Sequence, residues 1–384
     1  MKRKLLVFFL LFILLIPMFL KSSIIVSATS LIEKAKSPET TAKSMVVMET
    51  LNNRVLFSKN ENEKLPMAST TKIVTALAVI ENCDDLDKII TIPKKATLVE
   101  GSSIYLRENE QLTIKQLLYG LLLQSGNDAA LALALEVGEG DINKFSNLMN
   151  EIAKKCGAEN TNFVTPHGLD SKDHYTTAYD LAKITSYALK NKTFKEIVST
   201  KAYKISSSEN CSARTLINKN KLLSSLEGCI GVKTGYTTKA GRCLVSACER
   251  DGMQVVCVVL NCRPMFEESI ELINKAFSEY KCHEILPSYK CVSDVSIENG
   301  KKPYLRLYNK NGYKVVCSDE ELKNYTIKYD YIKNVKAPIN KDVELGKVEV
   351  YYNNSLIFTE KLCSIEKVDE IETSDKLKNI LDKW

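Results

Sequence analysis

The chain has 384 residues, of which 45% are hydrophobic and 26% charged. This excludes a disordered chain and gives length enough for two or three domains. The net charge of +6 is concentrated at the start, where residues 1–28 hold four basic side chains and no acid, which lowers the remainder to +2 and excludes a polybasic nucleic-acid binder.

In chain order, Lys2, Arg3 and Lys4 precede an apolar run from Leu5 to Leu20, and Val26-Ser27-Ala28 supplies small residues. The pattern predicts a secretory signal peptide over 1–28. An uncleaved anchor is the alternative, although the run is short for a span of roughly 20 residues. Residues 29–40 are expected to be a linker. Segments 44–49 and 54–58 predict two strands around Asn52-Asn53, a hairpin. Residues 69–80 are nearly all apolar and predict a buried helix. Thr113 can cap a helix through Leu123, and further helices are expected over 128–136 and 143–155. Runs 244–247 and 253–260, joined at Arg250-Asp251-Gly252, predict a second hairpin, and Pro264 opens a helix to about 280. Strands at both ends with helices between predict an α+β domain over 41–281, an antiparallel sheet with a helical insert.

After about Cys282 the texture changes. Pro287 marks a linker, and β-type runs follow at 304–308, 325–329, 347–352 and 356–359, with turn signals at Asn299-Gly300 and Asn311-Gly312. These predict a small all-β domain over 282–366, a sandwich. In the tail, 367–384, Leu377, Ile380, Leu381 and Trp384 share one helical face. An amphipathic surface anchor and a short capping helix are both open readings there. Twelve cysteines in an exported chain raise the question of disulfides. Cys243, Cys248, Cys257 and Cys262 lie in or beside apolar runs and no Cys-x-x-Cys spacing occurs, so most are expected to be buried small hydrophobes.

Three segments carry chemistry. In Ser69-Thr70-Thr71-Lys72 the serine and lysine are one helical turn apart at the start of an apolar helix, so Lys72 can reach the Ser69 hydroxyl. A serine nucleophile needs such a base, and burial at a helix N-terminus favours a neutral lysine. By itself the spacing is weak, since it recurs at Ser278 and Ser364. Ser125-Gly126-Asn127 falls in a break between helices, where a hydroxyl can relay a proton and an amide can hold a peptide group. Ser58-Lys59-Asn60 has the same pattern, so this segment too is weak alone. Lys233-Thr234-Gly235 occurs once, ahead of the second hairpin, and predicts an edge strand along which a peptide can lie. Lys233 and Thr234 offer a charge and a hydroxyl to a carboxylate, and Gly235 allows close backbone approach. There are only three histidines and no His-Glu-x-x-His or Gly-x-Ser-x-Gly motif, so neither a metal nor a cofactor is expected.

The ordered trio Ser-x-x-Lys, Ser-x-Asn, Lys-Thr-Gly is the signature set of penicillin-binding proteins and class A β-lactamases. From about residue 40 to 365 the sequence resembles the D-alanyl-D-alanine carboxypeptidases among the low-molecular-mass penicillin-binding proteins. Further runs carry the likeness: Pro66-Met67-Ala68-Ser69-Thr70-Thr71-Lys72, Pro166-His167-Gly168-Leu169-Asp170, Tyr179-Asp180-Leu181-Ala182, Gly231-Val232-Lys233-Thr234-Gly235-Tyr236-Thr237 and Ala240-Gly241. The resemblance implies a β-lactamase/DD-peptidase-like catalytic domain followed by a β domain. It implies Ser69 as the acylated nucleophile, Lys72 as its base, Ser125 as proton relay, Asn127 as a substrate-backbone contact, and Lys233, Thr234 and Gly235 as the carboxylate-binding wall. The oxyanion hole would use the backbone N–H groups of Ser69 and Tyr236, and His167 would be structural. The implied partners are peptidoglycan stem peptides ending in D-Ala-D-Ala and β-lactams, with peripheral membrane contact through the tail. The implied place is the outer face of the bacterial cytoplasmic membrane. A class A β-lactamase is the competing enzyme, but Glu159-Asn160 lacks the spacing of its water-activating loop. A non-catalytic wall-binding scaffold is the competing non-enzyme.

Overall fold

The computed structural model describes residues 37–374. The signal-peptide and tail-anchor expectations rest on residues 1–28 and 375–384, outside the described residues. The described residues divide into two compact units: 37–284 together with Lys314–Lys323, and Ile285–Tyr313 together with 324–374.

The first unit is built on a five-stranded antiparallel sheet. Its strands are β1 (Ser44–Glu49), β2 (Val55–Lys59), β3 (Cys229–Thr237), β4 (Gly241–Arg250) and β5 (Met253–Leu260), in the order β2-β1-β5-β4-β3. The first hairpin turns at Asn53, whose φ of 58° is left-handed. The buried Glu49 carboxylate accepts the N–H groups of Leu51, Asn52 and Arg54 and so pins the turn. Strand side chains alternate between faces. Val46, Val245, Val256 and Val258 join the core shared with the helical insert. Val47, Leu244, Val255 and Cys257 join a second core with Leu272, Ile273 and Ala276. Both faces are therefore covered, which is why these strands read as continuous apolar runs. The four cysteines singled out by sequence are buried here, and burial pushes the Cys243 thiol up to about 11 and the Cys257 thiol up to about 12.

The insert contains helices α1 (Lys72–Asn82), α2 (Ile114–Leu123), α3 (Asn127–Val137), α4 (Ile142–Lys155), α5 (Ala178–Ala188) and α6 (Lys192–Ser199), while α7 (Met265–Glu279) covers the other sheet face. Helix α1 is buried on every side from Lys72 to Val79, so it forms the centre of the insert. Thr113 caps α2 as expected, in a capping box with Gln116. The helix expected from Ser69 begins instead as a 3-10 turn, Ala68–Thr71, with α1 starting at Lys72. The hydroxyls of Thr70 and Thr71 bond the carbonyls of Met67 and Ala68, and such local bonds compete with the α-helical ladder. Helices α5 and α6 and the strand pair 202–205/214–217 fill a stretch to which no element was assigned from sequence. Segment 314–323 also belongs to this unit, where Arg54 bonds the Val316 carbonyl and forks onto Glu321.

The second unit is β-rich. Its six-stranded sheet comprises β6 (Cys291–Glu298), β7 (Tyr304–Asn309), β8 (Tyr325–Tyr331), β9 (Asn334–Lys336), β10 (Glu344–Tyr352) and β11 (Ser355–Ser364), in the order β8-β10-β11-β7-β6-β9. Asn353 and Asn354, both left-handed, make the tight β10–β11 turn. Val368 pairs with Ile339 and is buried, so the chain just beyond residue 366 packs on this unit. Among the described residues no helix is long and apolar enough to cross a membrane.

Candidate active site

The three motif segments converge in the first unit. Ser69 lies in the 3-10 turn, where residues three apart eclipse one another, and the Lys72 Nζ is 3.0 Å from the Ser69 Oγ. Lys72 is fully buried. Its other two partners are carbonyl oxygens, Asn127 Oδ1 at 2.7 Å and the His167 main chain at 2.6 Å. A neutral amine has two N–H donors and one lone pair. The two carbonyls take the donors, and the lone pair faces the one partner that can itself donate, the serine hydroxyl. Burial, the charges of Lys233 and then Lys219 hold the Lys72 amine well below the usual lysine range, against a weaker opposing effect of Asp128.

Ser125 sits at φ 64° in the break between α2 and α3 and is 4% exposed. Gly126 is the N-cap of α3, and Asn127, its first residue, spans two partners: Lys72 and, through Nδ2 at 2.6 Å, the Glu100 carbonyl. The Asn127 expected to contact substrate is thus already engaged at both ends of its amide. The next residue, Asp128, accepts from Ser103 Oγ and the N–H groups of Ile104 and Leu106, tying the 103–106 loop to the start of α3.

Lys233, Thr234 and Gly235 lie on β3, the last strand of the sheet, as expected. Lys233 is buried, bonds the Thr234 carbonyl at 2.9 Å, and is pushed down to about 7 by burial and by the charge of Lys219. Gly235 backs directly onto the serine turn: a Cβ there would be 3.0 Å from Ser69 N and 3.1 Å from both Met67 O and Thr70 N. The close approach at this glycine is made by the serine turn itself. The Tyr236 ring is exposed. Thr237 donates to Asp170 at 2.9 Å, joining the Pro-His-Gly-Leu-Asp loop to the strand.

His167 contributes its main-chain carbonyl. Its ring Nδ1 accepts from Leu169 N, and burial is the largest cause that pushes the ring down to about 3. Sequence reasoning missed Lys219, His174 and Asp128. Asp128 had a signal, as an acid in the first turn of a helix beside a motif. Lys219 had none, because a long-range bond brings it in, from its N–H to the Leu123 carbonyl. Among the described residues no group of three or more His, Cys, Asp or Glu side chains is disposed to hold a metal.

The arrangement sets a serine hydroxyl beside a buried amine, with a second buried lysine on the adjoining strand and a buried amide bonded to the first. Comparisons with known proteins agree with that chemistry. The family model described as D-alanyl-D-alanine carboxypeptidase matches residues 32–263, and the one described as penicillin-binding protein 5, C-terminal domain, matches 280–370. The chain is 32% identical to the D-alanyl-D-alanine carboxypeptidase DacF of Bacillus subtilis, covering 89% of this chain and 90% of that one. It is 31% identical to DacC of Escherichia coli, covering 88% and 87%. Among solved structures, penicillin binding protein 5 from Haemophilus influenzae superposes with a TM-score of 0.68 at 26% identity, over 88% of this chain and all of that one. The Streptomyces K15 DD-transpeptidase gives 0.61 at 34% identity, over 64% of this chain. With its three motif segments brought together and family models matching residues 32–263 and 280–370, the chain belongs to the D-alanyl-D-alanine carboxypeptidase family of penicillin-binding proteins.

Proposed function

We propose that this chain removes the terminal D-alanine from peptidoglycan stem peptides ending in D-Ala-D-Ala, through an acyl-enzyme on Ser69. The observation that carries the reading is the buried lysine whose three partners suit a neutral amine with its lone pair toward the Ser69 hydroxyl. Lys72 takes the hydroxyl proton as Ser69 Oγ attacks the carbonyl of the penultimate D-alanine. The tetrahedral oxyanion accepts from the backbone N–H groups of Ser69 and Tyr236. The C–N bond breaks, the proton reaches the departing amine by way of Ser125, and D-alanine leaves. Water then cleaves the ester with Lys72 again as base. Asn127 holds Lys72 in place; contact with a substrate amide would require it to give up Glu100. Thr234 and Lys233 receive the terminal carboxylate, whose charge raises the Lys233 pKa and keeps that lysine protonated in the complex. Gly235 leaves room for the serine turn to pack against the strand that receives the substrate. A β-lactam mimics the dipeptide and acylates the same oxygen.

A class A β-lactamase needs a carboxylate to activate the deacylating water. Glu159 is exposed beyond the end of α4, which gives that reading no support. The enzyme acts outside the cytoplasm, with 1–28 as export signal, the tail as a surface anchor and the β unit as a spacer from the membrane. Mass spectrometry after incubation with diacetyl-Lys-D-Ala-D-Ala and, separately, penicillin tests the chemistry. D-alanine release and a penicillin adduct on Ser69 are expected, both lost in Ser69→Ala. An adduct elsewhere, or undiminished release by Ser69→Ala, refutes it.

A further inference from the structure

The Ala68 carbonyl and the Ser69 N–H belong to one peptide unit, and a trans peptide points them in opposite directions. Whatever fixes the carbonyl therefore aims the N–H. Ala68 has a left-handed φ of 48°, unfavourable for a residue with a Cβ, so its surroundings must hold it there. The Thr71 Oγ1 donates to the Ala68 carbonyl at 2.8 Å. The same hydroxyl lies 2.8 Å from His174 Nε2, and His174 Nδ1 accepts the Val164 N–H at 3.1 Å. Thr71 and His174 are both buried.

These bonds have one consistent direction. A backbone N–H can only donate, so Nδ1 carries the lone pair. The neutral ring then carries its proton on Nε2 and donates to Thr71. With its lone pair so engaged, the Thr71 hydroxyl gives its single proton to the Ala68 carbonyl. Burial is the larger cause that pushes the His174 ring down to about 4, which keeps it neutral. The Phe163 ring meets the imidazole edge-on, with centroids 5.8 Å apart, and fixes its plane.

We propose that Val164, His174 and Thr71 form a one-way hydrogen-bond chain that aims the Ser69 N–H into the oxyanion hole, making His174 and Thr71 positioning residues for acylation. No proton is transferred along it. The inference rests on the proposed role of the Ser69 N–H.

The test uses the full chain and stopped-flow labelling by a fluorescent penicillin, separating the non-covalent binding constant from the acylation rate constant. Melting temperatures are measured alongside. Thr71→Val keeps the side-chain shape without the hydroxyl, and His174→Phe keeps a ring without the donor. Each is expected to slow acylation by about 10- to 100-fold, less than the roughly 10²–10³ for deleting an oxyanion donor outright, with binding within about twofold of wild type. Thr71→Ser restores the rate. Because the bonds act in series, the Thr71→Val/His174→Phe double variant is no slower than Thr71→Val alone. An unchanged rate in both single variants, a serine variant as slow as valine, additive losses, or a loss confined to binding overturns the proposal. Labelled wild type with unchanged variants refutes the chain of bonds and leaves the acyl-enzyme standing; a wild type that penicillin does not label refutes both.

Discussion

Gly235→Ala tests how closely strand β3 and the serine turn must fit. The added Cβ would stand 3.0 Å from Ser69 N, whereas ordinary contact begins at 3.4 Å, so the two backbones must separate by about 0.4 Å. All three nearest atoms are main chain, on Met67, Ser69 and Thr70, and none can rotate away. A misplacement of about 1 Å at a reacting centre costs about 100-fold. Scaled logarithmically, 0.4 Å costs about 0.8 of a decade, or roughly sixfold in acylation rate. The net cost in stability lies between about zero and about 2.6 kcal/mol: overpacking costs about 1–3 kcal/mol, and the stiffer unfolded chain returns about 0.4–1 kcal/mol. The assay is the rate of labelling by fluorescent penicillin, with D-alanine release and thermal melting in parallel. A variant melting within several degrees of wild type but labelling about sixfold more slowly supports the reasoning. Wild-type labelling by a folded variant refutes it, because the glycine would then have no steric part in the site.

Three further outcomes are expected. Lys219→Gln removes a positive charge that lowers both Lys72 and Lys233, so the ascending limb of the acylation pH profile should move to higher pH; an unmoved limb would show that the charge is not felt at the base. Lys233 has a folded pKa of about 7 against 10.5 unfolded, and between those values the unfolded chain holds a proton that the folded chain lacks. Stability should therefore rise with pH across that window, by up to about 1.4 kcal/mol per unit, and urea midpoints at pH 7.5 and 9.5 should differ less in Lys233→Met; equal differences would contradict it. Thr113→Ala breaks the capping box of α2 and should cost about 1 kcal/mol, lowering the melting temperature while D-alanine release stays at wild-type level.

What the sequence made legible was local. Thr113 and Gln116 are three residues apart, the strands of the second hairpin flank Asp251-Gly252, and Ser69 and Lys72 share a face whether the turn is α or 3-10. The Lys-Thr-Gly edge strand could be placed because it precedes a hairpin that was already evident. What escaped was the arrangement that depends on contacts distant in sequence. The left-handed Ala68 is held by Thr71 and packed against Gly168, where a Cβ would come 2.0 Å from the Ala68 carbonyl. Nothing in the residues around Ala68 marks it. Asn127 looked like a free amide because Glu100, the carbonyl that occupies it, is 27 positions away. Helix α6 carried a usable signal, with Asn191 as its cap and Phe194, Ile197 and Val198 buried on one face, but it is only two turns long.

The electrostatics of the site follow from a single imbalance. Lys72 and Lys233 are buried together with Lys219 near them, and the carboxylate that acts against this positive field at Lys72, Asp128, is already occupied by Ser103 and by the N–H groups of Ile104 and Leu106. Without an ion pair of its own, each buried lysine is driven toward the neutral form. For Lys72 that is the form a base requires. Lys233 differs, because it sits on the outermost strand, where a ligand can supply the missing anion. In the proposed complex a peptide ending in a carboxylate would pair with it and restore its charge, whereas an amidated peptide would leave a buried lysine unpaired. Under the proposed function, the same shortage of acidic partners suits Lys72 to the part of base and Lys233 to the part of receptor for a chain terminus.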